Sequence, residues 1–406
     1  MRIAILGAGN VGVCTALELA GRGYIVDLYD ENAQVITRAS QNNEGKIHLG
    51  LVYAKDRSLR TAKTMIWGAI HFTSCLHRWI DMTSDHVTIS SPFYYAVHKG
   101  TMTSAQELER HYAHCKRLFE DACSATGLSY LGGERTLLAE KISTREMEKL
   151  VAGDYFLSAF RTSERAVDPH TIADLLRAAV RANPRIRFIA NAQVSNVAWS
   201  DTSRLRVSFR LNGDEFTETY DQVANTLWHG RLAIDATLGL APERGWIYRY
   251  KLGGRINIPM RPETVPSVTC VLGPFGDIVN FGRRGLYLSW YPVGMIGMSR
   301  DLRPPEWDVS LSSANRQSVL RRSYEEWLKR CPLLRSLEYS EGITDPAGGV
   351  IFAWGATDIH DEDSGLHARH EIGIQSVRNY HSVNTGKYTM TPYLGYKTAE
   401  RILGIS

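Results

Sequence analysis

The stretch Gly7-Ala8-Gly9-Asn10-Val11-Gly12 constrains this chain more than any other feature. It comes directly after Ile3-Ala4-Ile5-Leu6, an apolar run with the length of a buried strand, and it opens an amphipathic segment, Val13 to Arg22, that stops at Gly23. A second strand-like run, Tyr24 to Tyr29, ends at Asp30. In such a strand–turn–helix–strand unit each glycine has its own task. The first permits a tight turn, the second lets backbone approach a diphosphate, and the third lets helix and strand pack closely. The diphosphate then faces the partly positive end of the helix, and an acid at the end of the second strand accepts hydrogen bonds from an adenosine ribose. The pattern predicts a dinucleotide-binding βαβ unit that uses Gly7, Gly9, Asn10, Val11, Gly12, Asp30 and Glu31.

The fingerprint does not choose between FAD and NAD, because both carry the ADP moiety. The residues downstream of Asp30 bear on that choice. Residues 38–50, with Arg38, Ser40, Asn43 and Lys46, form a polar, glycine-bearing loop that runs into an apolar segment at Ile47, Leu49, Leu51 and Val52. Such a loop can wrap a diphosphate and reach a flavin, whereas a solvated surface turn does not account for the apolar continuation.

Three blocks together resemble the D-amino-acid oxidase superfamily of FAD-dependent oxidoreductases. The first is the glycine fingerprint with Asp30. The second, Ser40 through Tyr53 with Lys55 and Ser58-Leu59, is similar to a loop of L-2-hydroxyglutarate dehydrogenases and, more loosely, of FAD-dependent glycerol-3-phosphate dehydrogenases. In those enzymes an Ile-His-x-Gly element lies beside the flavin, and here it reads Ile47-His48-Leu49-Gly50. The third block, His381 to Thr389, looks like the family's C-terminal Gly-Lys-aromatic-Thr turn, in the form Gly386-Lys387-Tyr388-Thr389. The resemblance implies FAD as cofactor and an α/β fold. Its parts would be a Rossmann-like FAD-binding domain of the three-layer ββα type and an interwoven, mainly antiparallel-sheet substrate domain. It further implies an adenine contact from Val194 and stabilisation of negative charge on reduced flavin by backbone N–H groups near Gly386. Two departures stand out. Asn225-Thr226-Leu227-Trp228-His229-Gly230 replaces an Asn-Ala-Ala-Gly-like turn, and His381 is followed by Ser382 instead of glycine.

The pattern divides the chain into a discontinuous FAD-binding part, residues 1–85, 155–240 and 340–406, and a substrate or cap part, residues 86–154 and 241–339. Apolar spacing and caps such as Asp168-Pro169 predict helices at 61–77, 104–126, 168–182, 312–329 and 391–405. Short runs rich in β-branched and aromatic residues predict strands at 87–97, 186–189, 194–199, 205–211, 218–223, 248–258, 268–272, 278–281 and 286–292.

Lys and Arg number 47 against 43 Asp and Glu, a balance that permits an anionic substrate but supplies no concentrated basic stretch for nucleic acid. The six cysteines are scattered, without CxxC or other metal-ligand spacing, so no metal is expected and a reducing, cytoplasmic setting is. The acidic run from Asp358 to Asp363 reads as a solvated loop. No stretch approaches the roughly 20 apolar residues of a membrane span. A homo-oligomer is compatible with all of this.

For chemistry, His48 is a candidate base or flavin-proximal hydrogen-bond partner. A structural histidine bonded to backbone is the equal alternative. Arg255, Arg300 and Arg369 are candidates to grip a carboxylate, with Arg369 preferred because it shortly precedes the C-terminal block. Tyr53 and Tyr291 are candidate pocket aromatics. The leading expectation is oxidation of a C–N bond in an amine or amino acid by hydride transfer to flavin N5, with O2, a quinone or another acceptor taking the electrons. Oxidation of a 2-hydroxy acid, an NAD-dependent dehydrogenase and a non-redox flavoprotein are the alternatives.

Overall fold

The computed structural model describes residues 1–83, 86–200, 203–259, 261, 264–357, 361 and 364–405. Its first elements are strand β1 (Ile3–Leu6), helix α1 (Asn10–Gly21) and strand β2 (Val26–Tyr29). The two strands are parallel neighbours, Ile3 opposite Val26 and Leu6 opposite Tyr29. Alternation along β1 explains why it is apolar throughout. Ile3 and Ile5 enter the core that contains Val13 and Leu17 of α1, while Ala4 and Leu6 pack on the other face against Val194, Val197, Val207 and Phe209. A strand covered on both faces needs apolar residues at every position.

The six-stranded sheet runs in the order Gly373–Val377, Tyr380–Asn384, Gln222–Asn225, β1, β2, Ile186–Ile189. All neighbours are parallel except the edge pair at Gly373–Val377. A three-stranded antiparallel meander, Ala192–Trp199, Leu205–Leu211 and Asp214–Tyr220, covers the face opposite α1. Helices, parallel sheet and meander are the three layers expected of the ββα fold.

A nine-stranded mixed sheet forms the rest. Near one edge of it lies β3 (Trp246–Ile256), which pairs along its whole length with β4 (Thr344–Trp354). Two stretches placed with the cofactor part by pattern, Phe156–Thr162 and β4, hydrogen-bond in this sheet. The chain therefore crosses between the sheets more often than its pattern implied. Strand alternation puts Arg249 and Lys251 on one face of β3.

Several predicted strands differ in extent. The strand predicted at 87–97 spans Phe93–His98, because Pro92 has no N–H to give a ladder, and Ile89 makes only an isolated bridge to Val167. The strand predicted at 218–223 is two strands in different sheets, divided at Asp221, whose N–H goes to Arg2 O. Leu286–Trp290 stops before Tyr291–Gly294, a helical turn with Pro292 in its first positions. Within the acidic run at 358–363, only Asp361 is a described residue. Among the described residues no helix is long and apolar enough to cross a membrane.

Candidate functional site

Beyond the C-terminal ends of β1 and β2 lies a cavity of about 270 Å³. Gly7 turns the chain there with φ +96°, in the left-handed region that an L side chain enters only under strain. Gly9 is the N-cap of α1 and supplies no side-chain cap. Ser40 Oγ accepts the Asn10 N–H at 3.1 Å, and the first turn keeps further N–H donors for an anion. At the end of β2, Asp30 Oδ2 accepts the Ala8 N–H at 2.7 Å, and Oδ1 accepts the Asn32 backbone N–H at 2.9 Å. Carboxylate oxygens accept more than one hydrogen bond each, so Asp30 keeps capacity for a ribose hydroxyl. Glu31 and His229, which line this cavity, cluster with Glu306, but Arg38 already supplies their cation, 3.0 Å from Glu31, 3.2 Å from Glu306 and 3.4 Å from His229. The uncapped helix start, the acid-bearing end of β2 and the polar 38–46 loop fit the dinucleotide that the glycines imply.

A second cavity, of about 200 Å³, shares Glu44, Lys46, His48, Ile351 and Lys387 with the first, and these residues mark the junction. Thr389 bolts the junction together. Its Oγ1 accepts the His48 N–H at 2.9 Å and donates to Lys46 O at 3.2 Å. The fingerprint-side loop and the C-terminal turn, far apart in sequence, are thereby held as one wall.

His48 is buried, and its ring meets Tyr53 edge-on at 5.5 Å. Nδ1 lies 3.4 Å from Glu164 Oε1, close enough for electrostatic attraction but without a formed hydrogen bond. Burial pushes the imidazole pKa below its ordinary value, and Lys387 and Lys46 add to the effect while Glu164 opposes it. Glu164 is fully enclosed, accepting the Leu49 N–H at 2.6 Å and the Tyr95 hydroxyl. Burial alone would raise its pKa, but His48, Lys46 and Tyr95 hold it below the usual carboxylate value.

The second cavity is cationic. Lys46 Nζ lies 2.6 Å from Asp277 and Lys251 Nζ 3.7 Å from the same carboxylate. Arg249, 2% exposed, donates to the Tyr291 hydroxyl at 2.6 Å. Arg369 Nη1 donates to Phe352 O at 3.0 Å, and the Arg369 N–H is received by Thr61 Oγ1 at 2.9 Å. Thr61 in turn donates to Asp56 Oδ2 at 2.6 Å, so the Arg369 segment is tied to the start of the helix Arg60–Leu76. Burial, then the charge of Arg369, brings the Lys387 pKa down to about 8. Burial and Arg249 lower Arg369 as well, although a guanidinium keeps its charge at neutral pH.

All the cofactor residues expected from sequence line the first cavity except Gly12, Ile47 and Thr389. Those three build its wall. A Cβ on Gly12 would come within 1.9 Å of Gly7 O, Ile47 lies in the core, and Thr389 bolts the two loops together. His48, Tyr53, Tyr291 and Arg369 all line the second cavity. Arg255 and Arg300 do not. Arg255 pairs with Asp168 at 2.7 Å, and Arg300 donates to Ala356 O. Sequence reasoning missed Glu44, Arg249, Lys251 and Asp277; only the two-residue spacing of Arg249 and Lys251 on a predicted strand was a usable signal.

The DAO family, described as FAD dependent oxidoreductase, matches residues 2–285, more than two thirds of the chain. Among solved structures, iminodiacetate oxidase from Chelativorans sp. BNC1 is similar with a TM-score of 0.68 at 15% identity, covering 100% of this chain and 96% of its own. Glycine oxidase from Geobacillus kaustophilus gives 0.68 at 13% identity, with 100% and 95% covered. Dithionite-reduced L-alpha-glycerophosphate oxidase from Mycoplasma pneumoniae, with FAD bound, gives 0.67 at 14% identity, with 99% and 94% covered. No curated protein matches the sequence. Identities this low speak for the fold, and the family match speaks for the chemistry: the chain belongs to the DAO family of FAD-dependent oxidoreductases.

Proposed function

We propose that this enzyme oxidises a C–N bond of a carboxylate-bearing amine or amino acid in the second cavity, with FAD held in the first. In this reading Asp30 and Glu31 receive the ribose, and the start of α1 with Ser40 receives the diphosphate. Val194 contacts the adenine, while the Gly386–Thr389 turn and Lys387 face the pyrimidine edge of the flavin at the junction. When bound, FAD supplies the acceptor for the hydride leaving the substrate carbon. Arg369 grips the substrate carboxylate with its planar fork, and Tyr53 and Tyr291 shape the walls around it. His48 takes the proton from the substrate nitrogen, and the nearby Glu164 carboxylate stabilises the imidazolium that forms. An external acceptor such as O2 or a quinone completes the cycle.

The observation that carries this reading is His48 itself, buried at the junction of the two cavities with Nδ1 lacking a formed hydrogen bond. Held below its ordinary pKa, it is neutral at physiological pH and able to accept a proton. An alkylammonium, with a pKa of about 10, is within reach of so weak a base. Neighbouring Arg369 and Lys387 bring that ammonium closer still to its neutral, reactive form. A hydroxyl near the roughly 16 of bulk water is much harder to deprotonate, which favours C–N over C–O chemistry.

The test is anaerobic addition of pooled amino acids and amines, and separately of 2-hydroxy acids, to the FAD-loaded enzyme. Bleaching of the flavin bands by the amine pool is expected. Bleaching by hydroxy acids alone would overturn the C–N reading, and bands unmoved by every pool would remove the redox role assigned to the second cavity.

A further inference from the structure

The acids around the junction of the two cavities are not alike. Asp277 takes Lys46 at 2.6 Å and the Thr269 hydroxyl at 2.8 Å. Glu164 takes the Leu49 N–H and the Tyr95 hydroxyl. Glu44 lines both cavities, yet among the described residues none gives its carboxylate a hydrogen bond or an ion pair. Burial works against its charge, but Lys251, Lys387 and Lys46 hold its pKa below the usual carboxylate value without pairing with it. The backbone beneath it is fixed. Asn43 Oδ1 accepts the Gly45 N–H at 2.7 Å, and Asn43 Nδ2 donates to Ala39 O at 3.0 Å. Gly45, at φ +68°, lies so near the next segment that a Cβ would come within 2.0 Å of Val167 O. The turn therefore holds Glu44 where the cavities meet.

A carboxylate without a partner in a confined site costs free energy that a ligand donor recovers, a cationic one most of all. Ser40 and Asn43 of the same loop line the first cavity but not the second, and neutral acceptors such as these suffice for the hydroxyl and amide donors of a cofactor. At the junction the charge to be met is that of the reacting group. We infer that Glu44 receives the substrate nitrogen: its carboxylate accepts hydrogen bonds from the ammonium on entry and faces the positive charge that nitrogen carries when the hydride departs. This rests on the C–N reading. The charge accounting gives each carboxylate its own task. When the ammonium passes a proton to His48, the positive charge moves to the imidazole, which Glu164 faces at 3.4 Å. When the C–H bond then breaks and its hydride leaves, the nitrogen lone pair closes the C=N bond. A new positive charge appears on nitrogen, and Glu44 meets it.

The experiment uses the oxidised FAD-loaded enzyme and probes that lack an α-hydrogen and so cannot be oxidised, following the flavin spectrum as each is titrated at fixed ionic strength and pH 7. 2-Aminoisobutyrate is compared with pivalate, which puts a methyl group in place of the ammonium, and with 2-hydroxyisobutyrate. A charge-assisted contact to nitrogen predicts about tenfold tighter binding of 2-aminoisobutyrate than of pivalate. A preference of fivefold or more supports the inference, and a smaller one overturns it. In Glu44→Gln, which keeps the shape and removes the charge, the preference is expected to collapse while pivalate affinity and the Kd for FAD change less than threefold. Flavin reduction by the amine that bleaches the wild type should slow about 10²-fold in this variant. Persistence of the preference, or an unchanged rate, overturns the inference. Weak FAD binding with the amine preference intact assigns the carboxylate to the cofactor and overturns it too. The wild-type comparison decides the matter even if the variant does not fold. A preference that persists in Glu44→Gln, with amines still bleaching the flavin, defeats only this inference. Tightest binding of 2-hydroxyisobutyrate, with bleaching by hydroxy acids alone, defeats the C–N reading and this inference with it.

Discussion

Alanine at Gly12 and at Gly9 separates folding from cofactor binding. A Cβ on Gly12 would lie 1.9 Å from Gly7 O and 2.7 Å from Thr226 Oγ1. Neither neighbour gives way cheaply. The Gly7 N–H is committed to Tyr29 O at 2.9 Å, and Thr226 Oγ1 lies 2.8 Å from both Leu6 O and Gly7 O. The methyl group must push α1 off the turn, at or beyond the ~3 kcal/mol upper end of ordinary overpacking. Gly9 is different. Its φ of −72° is open to any residue, and a Cβ would meet only Ser40 Oγ, at 2.9 Å. Ser40 can rotate away at the expense of its bond from the Asn10 N–H, about 1 kcal/mol. The added methyl then stands beside two residues that line the cavity where the diphosphate is placed. Loss of one or more charge-assisted contacts there costs about 1.5–3 kcal/mol, or about 10- to 150-fold in the Kd for FAD. FAD titration of apoprotein by quenching of flavin fluorescence, alongside thermal melts, reads both effects. Gly12→Ala should melt several degrees lower, and Gly9→Ala should melt near wild type yet bind FAD weakly. Wild-type FAD affinity in Gly9→Ala would remove the diphosphate from the start of α1, and a wild-type melt for Gly12→Ala would refute the packing argument.

Two further predictions concern charge. His48→Gln should stay yellow and slow flavin reduction about 10²-fold. Because the folded-state pKa of His48 lies below its ordinary value, the neutral, active form should persist to lower pH than for a free imidazole, with the rate falling only on further acidification. Anaerobic stopped-flow across pH 5–8 shows whether that acid limb exists and whether it vanishes in the variant; an unchanged reduction rate would return His48 to a structural role. Lys387, brought down to about 8, should govern the alkaline side of carboxylate binding. An anion stabilises the protonated lysine, so affinity should be full below pH 8 and weaken above it, by at most about tenfold per pH unit. Pivalate titrations from pH 6.5 to 9.5 should show this slope in wild type and a flat profile in Lys387→Met; a flat wild-type profile would exclude the lysine from the neighbourhood of the bound carboxylate.

The first cavity was legible in the sequence because its determinants are local. Strand, glycines, helix and acid succeed one another within 31 residues, and each residue type answers to a backbone requirement visible in its immediate neighbours. The C-terminal turn was legible only through resemblance. Its physical reason, the Thr389 hydroxyl that joins His48 to Lys46, spans more than 340 residues. The second cavity was read only in part, and the arginines show why. Arg249, Lys251 and Arg255 share one face of β3 by alternation, and nothing in the local sequence separates them. The fold does so by bringing Asp168, the N-cap of the helix Pro169–Ala182, against Arg255 and Asp277 against Lys251. Arg300 likewise finds a backbone carbonyl at Ala356. A cation whose partner is supplied by another part of the chain cannot be told from one that awaits a ligand until every nearby carboxylate has been placed. Among the described residues no carboxylate pairs with Arg369 or Lys387, which sets them apart from Arg255 and Lys251. The same reasoning explains why composition said so little. A net charge of +4 over 406 residues is unremarkable, whereas the pairing of individual cations beside a cavity of about 200 Å³ is set by the carboxylates that the fold brings to them.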